Sequence, residues 1–162
     1  MIKIRKYFIV PFITLLSGII ICFKTNVPEH TSVAVIISND NPIAFKDNPS
    51  LSAGEVKAYY LRKIKKRWPE TNQNILPADR LKTCPEQKLF YSKILNMNAN
   101  DVDTYFIEKH YESGEELPHK FVSDKEIVDF VGDEIGAIGY VNVNSLSSEA
   151  KAKVKTVLLI NE

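Results

Sequence analysis

The stretch Gly136-Ala137-Ile138-Gly139-Tyr140-Val141 is the part of this 162-residue chain that decides its fold. Its two glycines lie three residues apart among apolar residues, and a helical pattern from Ser123 to Val131 precedes it. Glycine weakens a strand unless the backbone must bend or another group must approach closely. We therefore interpret the stretch as a late strand at a crowded position of a sheet, with an ordinary packed strand as the alternative.

Closer to the N-terminus, the pattern predicts two further strands and a helix. The run from Ser32 to Ser38 is rich in β-branched residues and is typical of a strand buried on both faces. Ser52 and Glu55 form a capping-box pattern, and apolar residues follow at helical spacing as far as Trp68. These apolar residues are Val56, Tyr59, Tyr60, Ile64 and Trp68. A short, irregular second strand is expected over residues 74–79.

Three more helices and a last strand complete the predicted order. Thr83 and Glu86 predict a second capping box, and Ser123 and Glu126 predict a third. The expected buried residues of the helix that starts near residue 100 are Val102, Tyr105, Phe106 and Tyr111. A loop is expected over 112–120, a short helical turn over 147–152 and a strand over 154–160. Strands that alternate with helices predict an α/β fold, a three-layer sandwich with a largely parallel mixed sheet.

The N-terminal segment differs from the rest of the chain in charge and hydropathy. Lys3, Arg5 and Lys6 precede a run of 17 residues, 7–23, that contains no charge. This pattern is typical of a secretory signal, so we assign residues 1–27 to a signal peptide or signal anchor and 28–162 to a single domain. An uncleaved anchor is favoured, with a cleaved signal and a lipid anchor on Cys22 as alternatives. The basic residues predict a cytoplasmic N-terminus and an exported domain in the periplasm.

Charge and cysteine content limit the functions of the domain. Outside the leader, 17 basic residues face 20 acidic ones, a net charge of about −3 that argues against nucleic-acid binding. The basic run Arg62 to Arg67 is the exception, and we interpret it as the solvated face of a helix. Cys84 is the only cysteine of the domain, so no internal disulfide can form.

The order and spacing of these motifs resemble one lobe of the phosphate-binding proteins of ABC transporters. The matching segments are Val33–Ser38 with Asn41-Pro42, Ser52 with Glu55-Val56, Tyr60-Leu61, Trp68-Pro69, Asp79-Arg80, Phe90–Leu95, Val102 with Tyr105-Phe106, and Gly136–Val141. The resemblance implies one lobe of a periplasmic solute-binding protein that is exported, has no enzymatic activity and needs no cofactor. It also implies phosphate or a related oxyanion as the ligand.

The phosphate loop of this family runs from an arginine to a cluster of small residues at a helix N-terminus. In this chain Arg80 is followed by Thr83-Cys84-Pro85-Glu86. We take Arg80, Thr83, Cys84 and Ser38 as the candidate ligand-binding residues. Pro85 removes one N–H donor and Glu86 places a carboxylate near the anion position, so low affinity is expected. A single lobe also leaves a ligand half solvated, unless a homodimer supplies the second wall.

Each candidate residue has a structural alternative. Arg80 could form a surface ion pair with Asp79 or Glu86, Thr83 could act only as a helix cap, and Cys84 could be a small buried residue. A thiol enzyme built on Cys84 is a third function class, but the histidines show no spacing that argues for a catalytic pair. Three scattered histidines and one cysteine predict no metal site. The acidic pairs Glu115-Glu116 and Asp133-Glu134 are expected to be solvated loop residues.

The sequence therefore predicts an exported solute-binding-like protein that binds phosphate or a related oxyanion weakly. The alternative is a non-catalytic interaction protein of the cell envelope that kept the fold, lost the ligand and acts through a protein partner. The N-terminal segment is the expected link to the membrane.

Overall fold

A computed structural model of the chain describes residues 31–63, 66–69 and 71–162. The predicted leader, His30 and Ile64 lie outside this range. Within it, no helix is both long and apolar enough to cross a membrane. The described residues form a five-stranded sheet covered by helices on both faces, which confirms the predicted three-layer α/β architecture.

The sheet is mixed, and its strands lie in the order β3-β2-β4-β1-β5. The strands are β1 (Ser32–Ser38), β2 (Leu76–Arg80), β3 (His119–Phe121), β4 (Ala137–Asn142) and β5 (Val154–Asn161). β2 pairs in parallel with β3 and β4, whereas β1 pairs antiparallel with β4 and β5. Four of the five described strands therefore run in one direction, and β1 runs against them.

Two groups of helices enclose the sheet. They are α1 (Ala53–Tyr60), α2 (Pro85–Phe90) continued by the π-helical segment Tyr91–Leu95, α3 (Ala99–Ser113), α4 (Asp124–Asp133) and α5 (Ser148–Lys153), with short 3-10 helices at Pro42–Phe45 and Val143–Ser145. One apolar core lies between the sheet and α1, α2 and α3, where Tyr60, Phe90 and Tyr140 pack together. A second core lies on the opposite face, beneath α4 and α5.

The first helix is shorter than its apolar spacing predicts. α1 begins at the predicted capping box of Ser52 and Glu55 but ends at Tyr60, and Arg62 takes a left-handed conformation with φ of 52°. Trp68 is still buried, and its ring packs on Tyr59 with 4.6 Å between centroids. The spacing thus identified core residues correctly but not the length of the helix, because α1 ends at Tyr60 while Trp68, further along the chain, lies in the same core.

Two other predictions need correction. The strand β3 lies where a loop ending at residue 120 was expected, because its three residues are too few to show an alternating pattern. Tyr111 is 83% exposed although it was predicted to be buried, whereas Val102 and Phe106 of the same helix are buried.

Both glycines of the deciding stretch lie at crowded positions, as predicted. A Cβ atom on Gly136 would lie 2.0 Å from the backbone oxygen of Asn74. A Cβ atom on Gly139 would lie 2.8 Å from the Cγ2 atom of Ile127. Close approach of neighbouring groups, rather than a positive φ, therefore explains why glycine occupies these positions.

Candidate functional site at the carboxyl edge of the sheet

The carboxyl ends of β2, β3 and β4 meet at one edge of the sheet, at Arg80, Phe121 and Asn142. Open α/β sheets bind ligands in the crevice outside the carboxyl ends of their strands. Successive residues of a strand point to opposite faces, so Asp79 and Arg80 direct their side chains to different sides of the sheet. The edge therefore carries two polar clusters, one on each face.

On the face of α2, the carboxylate of Asp79 is fully buried. Its donors are the Tyr140 hydroxyl at 2.5 Å, the Tyr91 hydroxyl at 2.7 Å, the Lys120 ammonium at 2.8 Å, the Arg80 backbone N–H at 2.8 Å and the Gln87 amide at 3.2 Å. A buried carboxylate is stable only when its lone pairs are satisfied in this way. The cluster therefore fixes the end of β2 against α2 and β4.

The protonation states of this cluster follow from burial and hydrogen bonding. Burial alone raises the pKa of the Asp79 carboxyl, but hydrogen bonds from Lys120 and Tyr140 outweigh it and hold the pKa below its usual range. Burial lowers the pKa of Lys120, and its contact with Asp79 reverses that shift, so its pKa is raised. Burial, followed by the charge of Asp79, raises the pKa of the Tyr91 and Tyr140 hydroxyls, which keeps both neutral as donors.

On the face of α4, the Arg80 guanidinium forms an ion pair with Asp124. The second carboxylate oxygen of Asp124 accepts the Ser145 hydroxyl at 2.5 Å and the Asn142 backbone N–H at 3.3 Å. The Arg80 side chain is only 9% exposed, and among the described residues its Nε has no hydrogen-bond partner. Arg80 is therefore ion-paired, as the structural alternative held, but its partner is neither Asp79 nor Glu86.

The start of α2 differs from the predicted capping box. Cys84, not Thr83, is the N-cap residue, and its side chain makes no cap hydrogen bond. Thr83 is exposed and precedes the helix. Glu86 instead accepts a hydrogen bond of 2.9 Å from the side chain of Asn142. Burial raises the pKa of Glu86, but the hydrogen bonds to Asn142, to backbone and to Cys84, with the charge of Arg80, together outweigh burial and lower it, so the carboxylate stays charged beside the helix start.

Ser38 lies at the opposite end of the sheet from Arg80. It pairs with Val154 at the start of β5, and its hydroxyl donates to the carbonyl oxygen of Gly132 at 3.4 Å. β1 runs against β2 and β4, so its last residue comes at their amino ends. Among the described residues, no hydrogen bond or ion pair joins Arg80 to Thr83 or Cys84, which follow it in the chain before α2, and Ser38 lies at the other end of the sheet.

Arg62 of the basic run and Glu115 of the loop acids differ from expectation, whereas Lys63, Lys66, Arg67, Glu116, Asp133 and Glu134 are exposed as predicted. Arg62 and Lys66 both form ion pairs with Glu115, whose side chain is only 10% exposed. Burial raises the pKa of Glu115, but the hydrogen bond from Lys66 and the charges of Arg62 and Lys66 together outweigh burial, so the pKa is lowered. Arg62 and Glu115 connect the turn after α1 to the end of α3, rather than forming part of a solvated helix face and a solvated loop.

Sequence reasoning missed most of the residues that surround Arg80 and Asp79. Gln87 and Tyr91 lie four residues apart, and this helical spacing could have placed them on one face of a helix. Lys120 lies in a segment predicted to be a loop. Asp124 follows an N-cap serine, where an acidic residue is expected simply because it stabilises the helix N-terminus. Its contact with Arg80 depends on the order of strands, which the local sequence does not specify.

The architecture and the polar carboxyl edge are those of one lobe of a solute-binding protein. No family model and no curated protein matches the chain. Solved structures do match, each over 79% of the chain. One, from Clostridium perfringens, contains bound phosphate and is assigned as a phosphate ABC transporter substrate-binding protein. It is 19% identical to the chain with a TM-score of 0.55, and the match covers 44% of its length. An ABC-type phosphate transport receptor from Vibrio cholerae matches with 14% identity, a TM-score of 0.56 and 46% of its length covered.

PstS from Borrelia burgdorferi also matches, with 12% identity, a TM-score of 0.51 and 48% of its length covered. The chain thus spans less than half the length of the structures it resembles. At these identities the likeness establishes the fold, and it confirms the predicted resemblance to one lobe of the phosphate-binding proteins at the level of architecture.

Proposed function

We propose that this chain is an exported, non-catalytic, single-lobe oxyanion-binding module whose ligand contacts Arg80. Phosphate is the first candidate ligand, because the neighbours in fold include phosphate-binding proteins, one with phosphate bound. The observation that carries the proposal is the position of Arg80. It ends β2 at the carboxyl edge of the parallel strands, and its buried Nε has no hydrogen-bond partner among the described residues.

An arginine in this position suits an oxyanion. Its planar guanidinium presents several N–H donors in a geometry that matches phosphate, and it keeps its charge at every physiological pH. Asp79 accepts the Arg80 backbone N–H and thereby helps to fix the end of the strand from which the guanidinium extends. The Arg80 side chain is thus oriented in advance, which reduces the entropy lost on binding.

Four features keep the expected affinity low. Asp124 already neutralises the Arg80 guanidinium, and Glu86 holds a further negative charge at the start of α2. Pro85 removes one backbone donor from the same helix start. One lobe also leaves the ligand partly in water, where charge-assisted hydrogen bonds compete with solvent. The dissociation constant should therefore be nearer millimolar than micromolar, which corresponds to about −4 kcal/mol.

A binding role also fits the state of Cys84. Burial raises the pKa of its thiol, and the nearby Glu86 carboxylate raises it further. A thiol that stays protonated is a weak nucleophile. This argues against the thiol-enzyme interpretation of the sequence.

Export is part of the proposal and rests on the basic and apolar pattern of residues 1–27. The domain should be found in the cell envelope, held at the membrane if the leader is retained. Fractionation with N-terminal sequencing tests this. A soluble envelope product that starts between residues 24 and 31 would contradict retention, and a cytoplasmic product would contradict export.

Calorimetric titration of the purified chain with phosphate and with sulfate tests the binding proposal. Arg80→Ala should abolish binding, whereas Arg67→Ala should not, because Arg67 is an exposed arginine that contacts Asn72 instead of the sheet edge. Glu86→Gln should strengthen binding by removing a repulsive charge. Binding that is unchanged in Arg80→Ala would refute the proposed role of this residue.

A further inference from the structure

The carboxylate of Asp124 is held by three donors of the kind that bind an oxyanion. They are the guanidinium of Arg80, the backbone N–H of Asn142 and the hydroxyl of Ser145. Each donor comes from a different part of the fold: the end of β2, the end of β4 and the 3-10 helix that follows β4. Donors of these three types, converging on one point, commonly bind phosphate and carboxylate groups.

We propose that Arg80, Asn142 N–H and Ser145 Oγ form the oxyanion site and that Asp124 fills this site in the free protein. An external oxyanion then binds by displacing the Asp124 carboxylate. This inference rests on the proposed function, since it assumes that the ligand contacts Arg80. It assigns two further ligand groups, those of Asn142 and Ser145, and an internal competitor.

The position of Asp124 allows such a displacement. Asp124 is the first residue of α4. Its side chain takes no part in the hydrogen bonds of the helix backbone, so it can turn without breaking them. Ser123 remains to cap the helix, because its side chain accepts the N–H of Glu126. The Asp124 side chain is 15% exposed, so it is already partly in contact with solvent.

A groove beside α4 gives the displaced carboxylate a place to go. It lies between α4 and α5, has a volume of about 490 Å³, and is lined by both Asp124 and Ser145. This volume falls within the range of about 300–1,000 Å³ typical of ligand pockets. Lys125 and Lys153 also line the groove, where both pair with Asp129.

The internal competitor reduces the apparent affinity of the site. If only a fraction of the molecules has Asp124 displaced, the apparent dissociation constant rises in inverse proportion to that fraction. Removing the charge of Asp124 should therefore reveal the intrinsic affinity of the donors. We expect Asp124→Asn, which keeps the size of the side chain, to bind phosphate about tenfold more tightly than the wild type, or better.

The experiment measures phosphate binding to the full chain by calorimetry in the wild type, Asp124→Asn and Asp129→Asn. Asp129 is the matched control, because it is a second aspartate of α4 that pairs with Lys125 and Lys153 rather than with Arg80. Asp129→Asn should leave phosphate affinity within about twofold of the wild type. Adding Ser145→Ala or Arg80→Ala to Asp124→Asn should reverse the gain.

The outcomes separate this inference from the proposed function. Arg80-dependent binding in the wild type without a gain in Asp124→Asn would overturn the inference and leave the function standing. No phosphate binding in either protein would overturn both. A gain that survives the addition of Ser145→Ala would overturn the donor set.

A second measurement needs no variant. When phosphate is titrated into the wild type, the NMR signals of the Asp124 carboxyl carbon and the Asn142 amide should shift together and saturate. Arg80-dependent binding that leaves both signals unmoved would contradict the displacement of Asp124.

Discussion

At the scale of single residues, the two aspartates at the sheet edge have different roles. Asp79 is fully buried and accepts five hydrogen bonds, so it is part of the structure of the edge. Asp124 is partly exposed and holds the only ionic contact of Arg80 among the described residues, so in the proposed site it competes with any ligand of Arg80. The sequence shows two similar acidic residues, and only the strand order distinguishes them.

Asp79 should make the fold sensitive to acid. Its folded pKa lies below its ordinary value of 3.8, so its contribution is fully present above about pH 4 and is lost as the pH falls through the folded pKa. Asp79→Asn should destabilise the protein by about 3–5 kcal/mol at neutral pH, because an amide cannot accept all five of the donors that converge on the buried carboxylate. Urea unfolding as a function of pH measures both effects.

Asp103→Asn is the control, since Asp103 also contacts Lys120 but its side chain is 58% exposed. Exposed pairs contribute about 0–1 kcal/mol, so this variant should change stability little. Equal losses in the two variants would show that burial does not set the importance of Asp79.

Neither Gly136, which directly precedes β4, nor Gly139, which lies within it, should tolerate a side chain. Gly136 should be the more sensitive of the two. A Cβ atom at Gly136 would meet backbone at 2.0 Å, whereas at Gly139 it would meet side chains at 2.8 Å or more. Gly136→Val and Gly139→Val should each cost more than the 1–3 kcal/mol or so that is usual for overpacking, without a specific effect on phosphate binding.

Gly54→Ala is the control for these variants, because Gly54 lies in helix α1 and its Cβ atom would meet no side chain closer than the Ser52 Oγ atom at 4.0 Å. It should be neutral or slightly stabilising. Thermal melts measure all three variants, and parental melting temperatures for both valine variants would show that these glycines are not structural.

At the scale of secondary structure, the sequence predicted the elements that have strong local signals. The capping box at Ser52 and Glu55 forms. Ser123 caps α4, but Glu126 accepts the backbone N–H of Val122 rather than that of Ser123, so the third predicted box does not close. The box at Thr83 and Glu86 does not form either, and Glu86 contacts Asn142 of a neighbouring strand instead. The N-cap serines were thus predicted correctly, whereas the acidic partner of the box formed as predicted only at Glu55.

One serine variant and one threonine variant test which of the predicted helix caps form. Ser52→Ala should cost about 1 kcal/mol, the usual loss for an N-cap residue. Thr83→Ala should stay within about 0.5 kcal/mol of the parent, because Thr83 is exposed and does not cap α2. Chemical denaturation measures both, and a larger loss for Thr83→Ala would mean that Thr83 is the true cap.

At the scale of the whole molecule, the alternation of strands and helices was enough to predict a three-layer α/β lobe. It could not predict the order β3-β2-β4-β1-β5 or the reversed direction of β1. That order decides which residues share the carboxyl edge, and it is why Ser38 is separated from Arg80 while Asn142 and Ser145 lie beside its partner Asp124. The fold could be predicted from local patterns. The site could not, because it depends on contacts between distant segments.

The lobe should fold without its leader. Its two apolar cores lie on opposite faces of one sheet and consist of residues from Val33 onward. A fragment of residues 31–162 should therefore show one cooperative thermal transition close to that of the full chain. A fragment that melts without cooperativity would mean that residues before 31 are needed for the fold.

The most direct test of the account is the structure of the protein crystallised with phosphate and solved to high resolution. We predict that a phosphate oxygen lies within hydrogen-bond distance of the Arg80 guanidinium, the Asn142 N–H and the Ser145 hydroxyl, with the Asp124 carboxylate turned into the groove between α4 and α5. A phosphate bound elsewhere while Asp124 still contacts Arg80 would contradict the proposed site.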